Sequence, residues 1–269
     1  MKLLDSGTNF ARYALGDLVV VSLRDGYVDM PTSRLRQPGN KPFRPDLPPQ
    51  VQLVDGMLRL SVNAFLVIEH DQHILIDTGA ANSWEPTMGS LLQALEEAGV
   101  ARGSIETVAL THTHEDHANG LVAADGTDAF PNLNRLLVPA EEVRMFDKVD
   151  RLSRFKSMRS PIRDGIKISA AVTAVQAHGH EVGHTAYEVS SGQDILLIWG
   201  DIIHEKSVQF ERPELTWEYD ANQNEARATR LRMLTRAAEP NVFVAGAHLP
   251  SPGIGKTTKE GGSFGFRPI

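Results

Sequence analysis

The feature that most constrains this chain is the run Thr111-His112-Thr113-His114-Glu115-Asp116-His117-Ala118-Asn119-Gly120. It sets three imidazoles and a carboxylate close together in the pattern His-x-His-x-Asp-His. Chance placement gives on the order of one such pattern per thousand chains of this histidine content. Apolar Val108-Ala109-Leu110 reads as the end of a buried strand, and the histidines follow where it runs out. Side chains two apart on an extended segment share a face, so His112 and His114 can chelate one ion together. Asp116 and His117 come after the chain has turned and present donors from another direction. Neutral imidazole suits zinc, and a carboxylate is an acceptable harder partner. A polar loop with several surface histidines is the alternative reading, and a metal site is the better one.

Composition narrows the chemistry. The chain has no cysteine, so any metal must be held by His, Asp, Glu and water, and no disulfide framework calls for an oxidising compartment. A formal net charge of -7 over 269 residues argues against nucleic acid as a partner, because phosphate binding wants a basic field. No stretch approaches the roughly 20 apolar residues needed to span a bilayer. The opening Met1-Lys2-Leu3-Leu4-Asp5-Ser6-Gly7 carries no apolar run of signal-peptide length. A cytoplasmic protein without a membrane partner is therefore expected.

Along the chain, Gly16 to Leu23 reads as the first strand. Residues 27–50 hold Pro31, Pro38, Pro42, Pro45, Pro48 and Pro49 among basic residues, and such a stretch is expected to be an irregular arm rather than helix or central strand. Leu58 to Ile68 and Ile74-Leu75-Ile76 form a hairpin that ends at Asp77, which is expected to support the metal donors on the neighbouring strand. Leu91 to Ala98 has helical spacing and leads into a strand at Thr107–Leu110. Arg135 to Val138 is another strand, with a helix from Ala140 to Phe146 behind Pro139. A basic stretch follows over about 147–167, including Arg151, Arg154, Arg159 and Arg163. It reads either as a solvated face or as a field that steers an anionic substrate or seals a subunit interface. Strands are expected at Ala171–Val175, Tyr187–Val189, Ile195–Trp199 and Asn241–Ala245, the last clear strand. A helix with Arg and Leu on opposing faces fills Glu225 to Ala238. Strand ends therefore carry His or Asp beside Gly again at Gly179-His180, Gly200-Asp201 and Gly246-Ala247-His248. Among the ten histidines, His112, His114, His117, His178, His180, His184, His204 and His248 all lie in these segments.

With those segments in order, the chain resembles the metallo-β-lactamase-fold hydrolases, over roughly residues 60–250. The tail Trp199-Gly200-Asp201-Ile202-Ile203-His204, Val208-Gln209-Phe210 and Ala247-His248-Leu249-Pro250 is similar to the methyl parathion hydrolase and lactonase-like branch. The resemblance implies an αββα sandwich, here a single domain over 1–269 with the Pro-rich arm and the basic insertion. It implies two divalent metals, with zinc favoured and Mn, Co and Fe also accepted by such donors. His112, His114 and His180 would hold one metal, Asp116, His117 and His248 the other, and Asp201 would bridge them. Where the family usually reads Pro-Gly-His-Thr-Pro-Gly-His, this chain has His178 and Val182 in place of the prolines. His178 is thereby a rival to His180, and His184 is expected to be a supporting residue.

The reaction implied is hydrolysis of a small molecule by a metal-bridging hydroxide: opening a lactone or cleaving an aryl ester, with phosphotriesters as a side activity. Asp116 and His204 are the expected catalytic side chains, His204 standing where lactone-cleaving relatives carry a Tyr. Phe65, Trp84, Phe130, Phe146, Trp199, Phe210 and Leu249 are candidate pocket walls, of which about half are expected to touch substrate. A β-lactamase-like amide hydrolase and an iron-dependent oxygenase-type member of the fold are the alternatives. A homodimer through the Pro-rich arm is left open.

Overall fold

A computed structural model of the protein describes residues 1–43, 47 and 51–269. Among the described residues the chain forms a nine-stranded sheet, a six-stranded sheet and a small three-stranded one. The first sheet runs in the order Lys2–Ser6, Phe10–Leu15, Leu18–Pro31, Met57–Glu69, Gln72–Ile76, Thr107–Ala109, Arg135–Pro139 and Arg159–Ile162, with Leu53–Val54 paired beside Met57–Glu69. Its hairpin part is antiparallel, and its last four strands, from Gln72–Ile76 on, pair in parallel. The second sheet runs Val172–Gln176, Thr185–Ser191, Asp194–Ile198, Val242–Ala245, Ile254–Glu260 and Ser263–Pro268.

Alternation along Met57–Glu69 shows why the sheets stack. Phe65 and Val67 pack with Tyr187, Val189, Leu196 and Ile198 of the other sheet. Ala64 and Leu66, pointing the opposite way, pack with Leu91 and Leu95 of the helix Leu91–Glu97. On the far side, Met233, Leu234 and Ala237 of the helix Gln223–Ala237 cover Leu197, Val242 and Val244. Burying one such side chain contributes roughly 1.5–3 kcal/mol, so strands covered on both faces read as continuous apolar runs rather than alternating ones. Helix, sheet, sheet, helix is the expected αββα sandwich, in one domain.

Three expectations need correction. The sheet begins earlier than Gly16, with Lys2–Ser6 and Phe10–Leu15, and Val242–Ala245 is followed by two further strands. Those outer strands carry exposed polar residues such as Lys2, Thr258 and Lys259, so they lack the apolar signature of central ones. The helix expected at Ala140 opens as a 3-10 turn, Ala140–Glu142, before Val143–Phe146 turns α-helical.

The start of the Pro-rich stretch is strand, because Leu18–Pro31 pairs with Met57–Glu69 as far as Pro31↔Met57. Phe10–Leu15 covers the other edge of this strand only up to Leu23, so Pro31 sits where no ladder bond is required of it. Leu35–Gln37 and Lys41–Pro42 then join Thr216–Trp217 in the three-stranded sheet, and Leu35 and Phe43 pack with Trp217. Residues 44–46 and 48–50 of the arm lie outside the described residues.

Several arginines of the basic stretch turn onto the protein itself. Arg151 donates to the carbonyls of Asn119 (3.1 Å) and Val122 (2.6 Å), and Arg159 grips Asp147 with two bonds of 2.7 and 2.6 Å. Among the described residues no helix is long and apolar enough to cross a membrane.

Candidate metal centre

Four segments converge at one end of the sandwich. The strand Thr107–Ala109 delivers His112 and His114, and the one-turn helix Glu115–Ala118 carries Asp116 and His117. The loop after Val172–Gln176 brings His180, the turn after Asp194–Ile198 brings Asp201, and the loop after Val242–Ala245 brings His248. Donor atoms of His112, His114, His180 and Asp201 lie within 4.8 Å of one another, as do those of Asp116, His117 and His248. Asp201 with His204 and His248 forms a third such group. His178 lies in none of these groups; its Nδ1 bonds the Gln176 amide at 2.9 Å.

Asp201 is the centre. Its Oδ2 lies 3.0 Å from His248 Nε2, 3.3 Å from His180 Nε2, 3.4 Å from His204 Nε2 and 3.8 Å from His112 Nε2, while Oδ1 is 3.2 Å from His117 Nε2. Burial would raise this carboxyl, but the surrounding imidazoles, His248, His117 and His112 foremost, hold it well below the usual carboxylate range. Yet His112 Nε2, His117 Nε2 and Asp201 Oδ1 are buried and make no hydrogen bond. Such orphaned atoms are costly in a protein interior, and divalent cations held by the two donor groups would satisfy them. Nitrogen and carboxylate oxygen donors of this kind fit zinc, manganese, cobalt or iron.

Each imidazole is aimed by its other nitrogen. His117 donates from Nδ1 to Asp77 Oδ2 at 2.8 Å, and Asp77 also accepts from the Thr111 amide (2.7 Å) and hydroxyl (2.8 Å). His180 donates from Nδ1 to Asp220 Oδ1 at 2.8 Å, and His248 from Nδ1 to the Ser61 carbonyl at 2.8 Å. Asp220 in turn faces the guanidinium of Arg230 at 3.6 Å. These partners fix the tautomers so that Nε2 of His117, His180 and His248 faces the common centre.

His184 has a structural place. It donates from Nδ1 to the Ala177 carbonyl (3.0 Å), and its Nε2 accepts the Asp201 amide at 3.1 Å, so it holds the Asp201 turn. The turn demands glycine: Gly200 has φ +55, and a Cβ there would lie 2.7 Å from His184 Nε2.

The pocket over this centre is lined by Val28, Met30, Leu60, Trp84, Trp217 and Tyr219 together with His114, Asp116, His180, Asp201, His204 and His248. Of the wall candidates only Trp84 is among them. Phe65, Phe130, Phe146, Trp199, Phe210 and Leu249 all sit in the apolar clusters between layers. Their residue type marks them as apolar and does not say which layer they fill. His204 stacks on Trp217 (4.7 Å between centroids, 8° between planes), and burial depresses its imidazole to about 4.

Comparison with known proteins fits this geometry. A sequence profile described as the metallo-beta-lactamase superfamily matches residues 57–248. The chain belongs to the metallo-β-lactamase superfamily. A search of curated protein sequences finds no match for it. Among solved structures, this superfamily member is similar to the hydrolase AbOPH in the beta lactamase superfamily, at 28% identity and a TM-score of 0.84, over 98% of this chain and 99% of that one. It is also similar to AidC, a dizinc quorum-quenching lactonase in complex with the product N-hexnoyl-L-homoserine, at 22% identity and a TM-score of 0.80, over 97% of each chain. A probable metal-dependent hydrolase from Staphylococcus aureus shares 18% identity at a TM-score of 0.77, over 96% of this chain and 99% of that one.

Four supporting residues were not singled out from the sequence: Asp220, Arg230, Glu142 and Glu181. Glu142 accepts from the Thr113 amide (2.7 Å), the Thr113 hydroxyl (2.8 Å) and the Gly183 amide (3.1 Å). Glu181 accepts from His114 Nε2 at 2.8 Å. No local pattern announces them, because each works across the fold.

Proposed function

We propose that this protein is a dinuclear metal-dependent hydrolase that opens a lactone or cleaves an aryl ester, in the manner of the methyl parathion hydrolase and lactonase-like branch. The observation that carries this reading is Asp201, set between two donor groups with buried donor atoms left unpartnered. His112, His114 and His180 would hold one ion, Asp116, His117 and His248 the other, and Asp201 both. Divalent ions held there would supply Lewis acidity, making a bound water acidic enough to give hydroxide near neutral pH and offsetting developing negative charge.

The chain's own residues do the rest. Asp116 lines the pocket and lies 3.6 Å from both His117 Nε2 and His248 Nε2, and in this reading it would orient the attacking group and carry a proton to the leaving oxygen. His204, depressed by burial to about 4, lines the pocket flat against Trp217, and in this reading its imidazole would donate to a substrate oxygen. A well-placed donor to an oxyanion is worth about 3–4 kcal/mol in the transition state. Val28, Met30, Leu60 and the aromatic faces of Trp84, Trp217 and Tyr219 suit an apolar acyl or aryl arm rather than a charged one.

The likeness to AidC and to AbOPH supports this reading in fold and in type of reaction. It is tested by turnover of the zinc- and manganese-loaded protein on an aromatic lactone, with a phosphotriester and a β-lactam in parallel. Lactone turnover well above the other two is expected. Silence on all three, with iron in the protein as isolated, would overturn the hydrolase reading.

A further inference from the structure

The loop that carries His180 reads His178-Gly179-His180-Glu181-Val182-Gly183-His184, without a proline. Its fixing points are carboxylates. Glu142 ties the Gly183 amide to the Thr113 amide, so this loop and the loop of His112 and His114 share one acceptor. Glu181, next in sequence to His180, reaches over to His114 and accepts from its Nε2 at 2.8 Å. His114 Nδ1 then faces His180 Nε2 at 3.3 Å, both directed at the space beside Asp201. The contact is shielded: the Glu181 side chain keeps 12% of its exposure, while His114 keeps 33%. His114 is thus the most solvent-open imidazole of its group, and Glu181 is the group that fixes which of its nitrogens faces the ion.

We propose that Glu181 is a positioning residue that sets the affinity of one of the two metal positions, the one formed by His112, His114 and His180. By accepting from Nε2 it fixes His114 in the tautomer that leaves Nδ1 free as a donor, and its charge makes that nitrogen a stronger one. It does for His114 what Asp77 does for His117 and Asp220 for His180. It differs from both in being local to the second donor loop, so one side chain locks two ligand-bearing loops together. Among the described residues no hydrogen bond or ion pair joins Glu181 to Asp116, His117 or His248, so the position they form is left alone by it. This inference rests on the metal-dependent reading above.

The test is stepwise cobalt(II) titration of the metal-free protein, followed by the visible absorption of the bound ion, for wild type, Glu181→Gln and Glu181→Ala. Thermal unfolding of each metal-free form is measured alongside. The expected result is two binding steps in wild type, of which one weakens roughly 10- to 100-fold in Glu181→Ala. Glu181→Gln keeps an acceptor oxygen and loses the charge, so it should fall between the two. Metal-free unfolding temperatures should stay together, which separates positioning from a general loss of structure. Two steps unchanged in Glu181→Ala would overturn the proposal, as would an equal weakening of both. Absence of stoichiometric cobalt binding by wild type would instead overturn the metal-dependent reading itself.

Discussion

Asp220 accepts the Nδ1 proton of His180 at 2.8 Å from a position forty residues further along the chain. Its other oxygen accepts the Trp217 amide at 2.9 Å and faces Arg230, which is itself 1% exposed. One carboxylate therefore aims a metal donor, shapes the turn that carries the aromatic wall, and neutralises a buried guanidinium. Asp220→Asn should weaken metal binding at the His112, His114 and His180 position by about 10- to 100-fold, because the amide holds the ring less firmly and adds no charge. Either Asp220→Asn or Asp220→Ala leaves Arg230 buried without its counter-charge and should cost the fold about 3 kcal/mol or more, and Asp220→Ala should cost further because it also removes the acceptor of the Trp217 amide. Metal titration and denaturant unfolding of both variants beside wild type separate the effects; an Asp220→Asn form as stable as wild type would show that Arg230 is satisfied by its carbonyl partners alone.

Asp201→Asn should lower two-metal occupancy and activity together. The carboxylate faces five imidazoles, and an amide offers one weak acceptor in place of two charged oxygens. A loss of at least about 100-fold in kcat/KM is expected, with bound metal counted by elemental analysis of the same sample. Full activity in this variant would remove the bridging role.

Gly179 has φ +128 and would place a Cβ 2.2 Å from the backbone nitrogen of Ala226. Gly179→Ala must push the His180 loop off the start of the helix Gln223–Ala237. About 1–3 kcal/mol of stability should be lost, with a raised metal requirement for activity. A variant with unchanged unfolding midpoint and metal affinity would show that the loop has room the backbone geometry denies.

Asp25 is buried beneath the loop at Ala80, and burial raises its carboxyl from 3.8 to about 6 despite bonds from the amides of Ala80 and Leu91. The native state thus holds this proton more tightly than the unfolded chain. Its contribution is fully present below pH 4 and is lost as pH rises through about 6, an effect of about 3 kcal/mol by pH 7. In the metal-free protein, wild type should lose that much stability relative to Asp25→Asn between pH 4 and 7, read from urea unfolding at each pH. A difference that does not vary with pH would mean an ordinary carboxyl.

Chelation should lower the unfolding temperature of the metal-loaded protein sharply. Each ion held at 100 times its dissociation constant adds about 2.7 kcal/mol to the folded state. Without ions, the unpartnered donor atoms of His112, His117 and Asp201 remain an unmet cost. Unfolding curves that coincide with and without chelator would speak against metal as part of the native state.

The candidate donors were legible in the sequence by itself. His112, His114, Asp116 and His117 are legible because their chemistry lies in residue type at short spacing, and Gly-His and Gly-Asp at strand ends extended the set to His180, Asp201 and His248. The αββα layering followed from the family resemblance those motifs carry; the apolar strand runs and helical spacings were compatible with it without establishing it. The tertiary structure decided the choice between His178 and His180, since strand-end position alone does not say which ring turns inward. It also decided the pocket walls: apolarity fixes that Phe65 or Trp199 is buried, while only packing fixes against what. The helix Gln223–Ala237 reads as polar on its Arg face, yet Arg230 is buried because the carbonyls of Ile202 and Leu215 and the carboxylate of Asp220 come from elsewhere to meet it. Donors to an ion are fixed by composition over a few residues. The groups that aim them come from whatever segment the fold brings alongside, and that is a property of three dimensions.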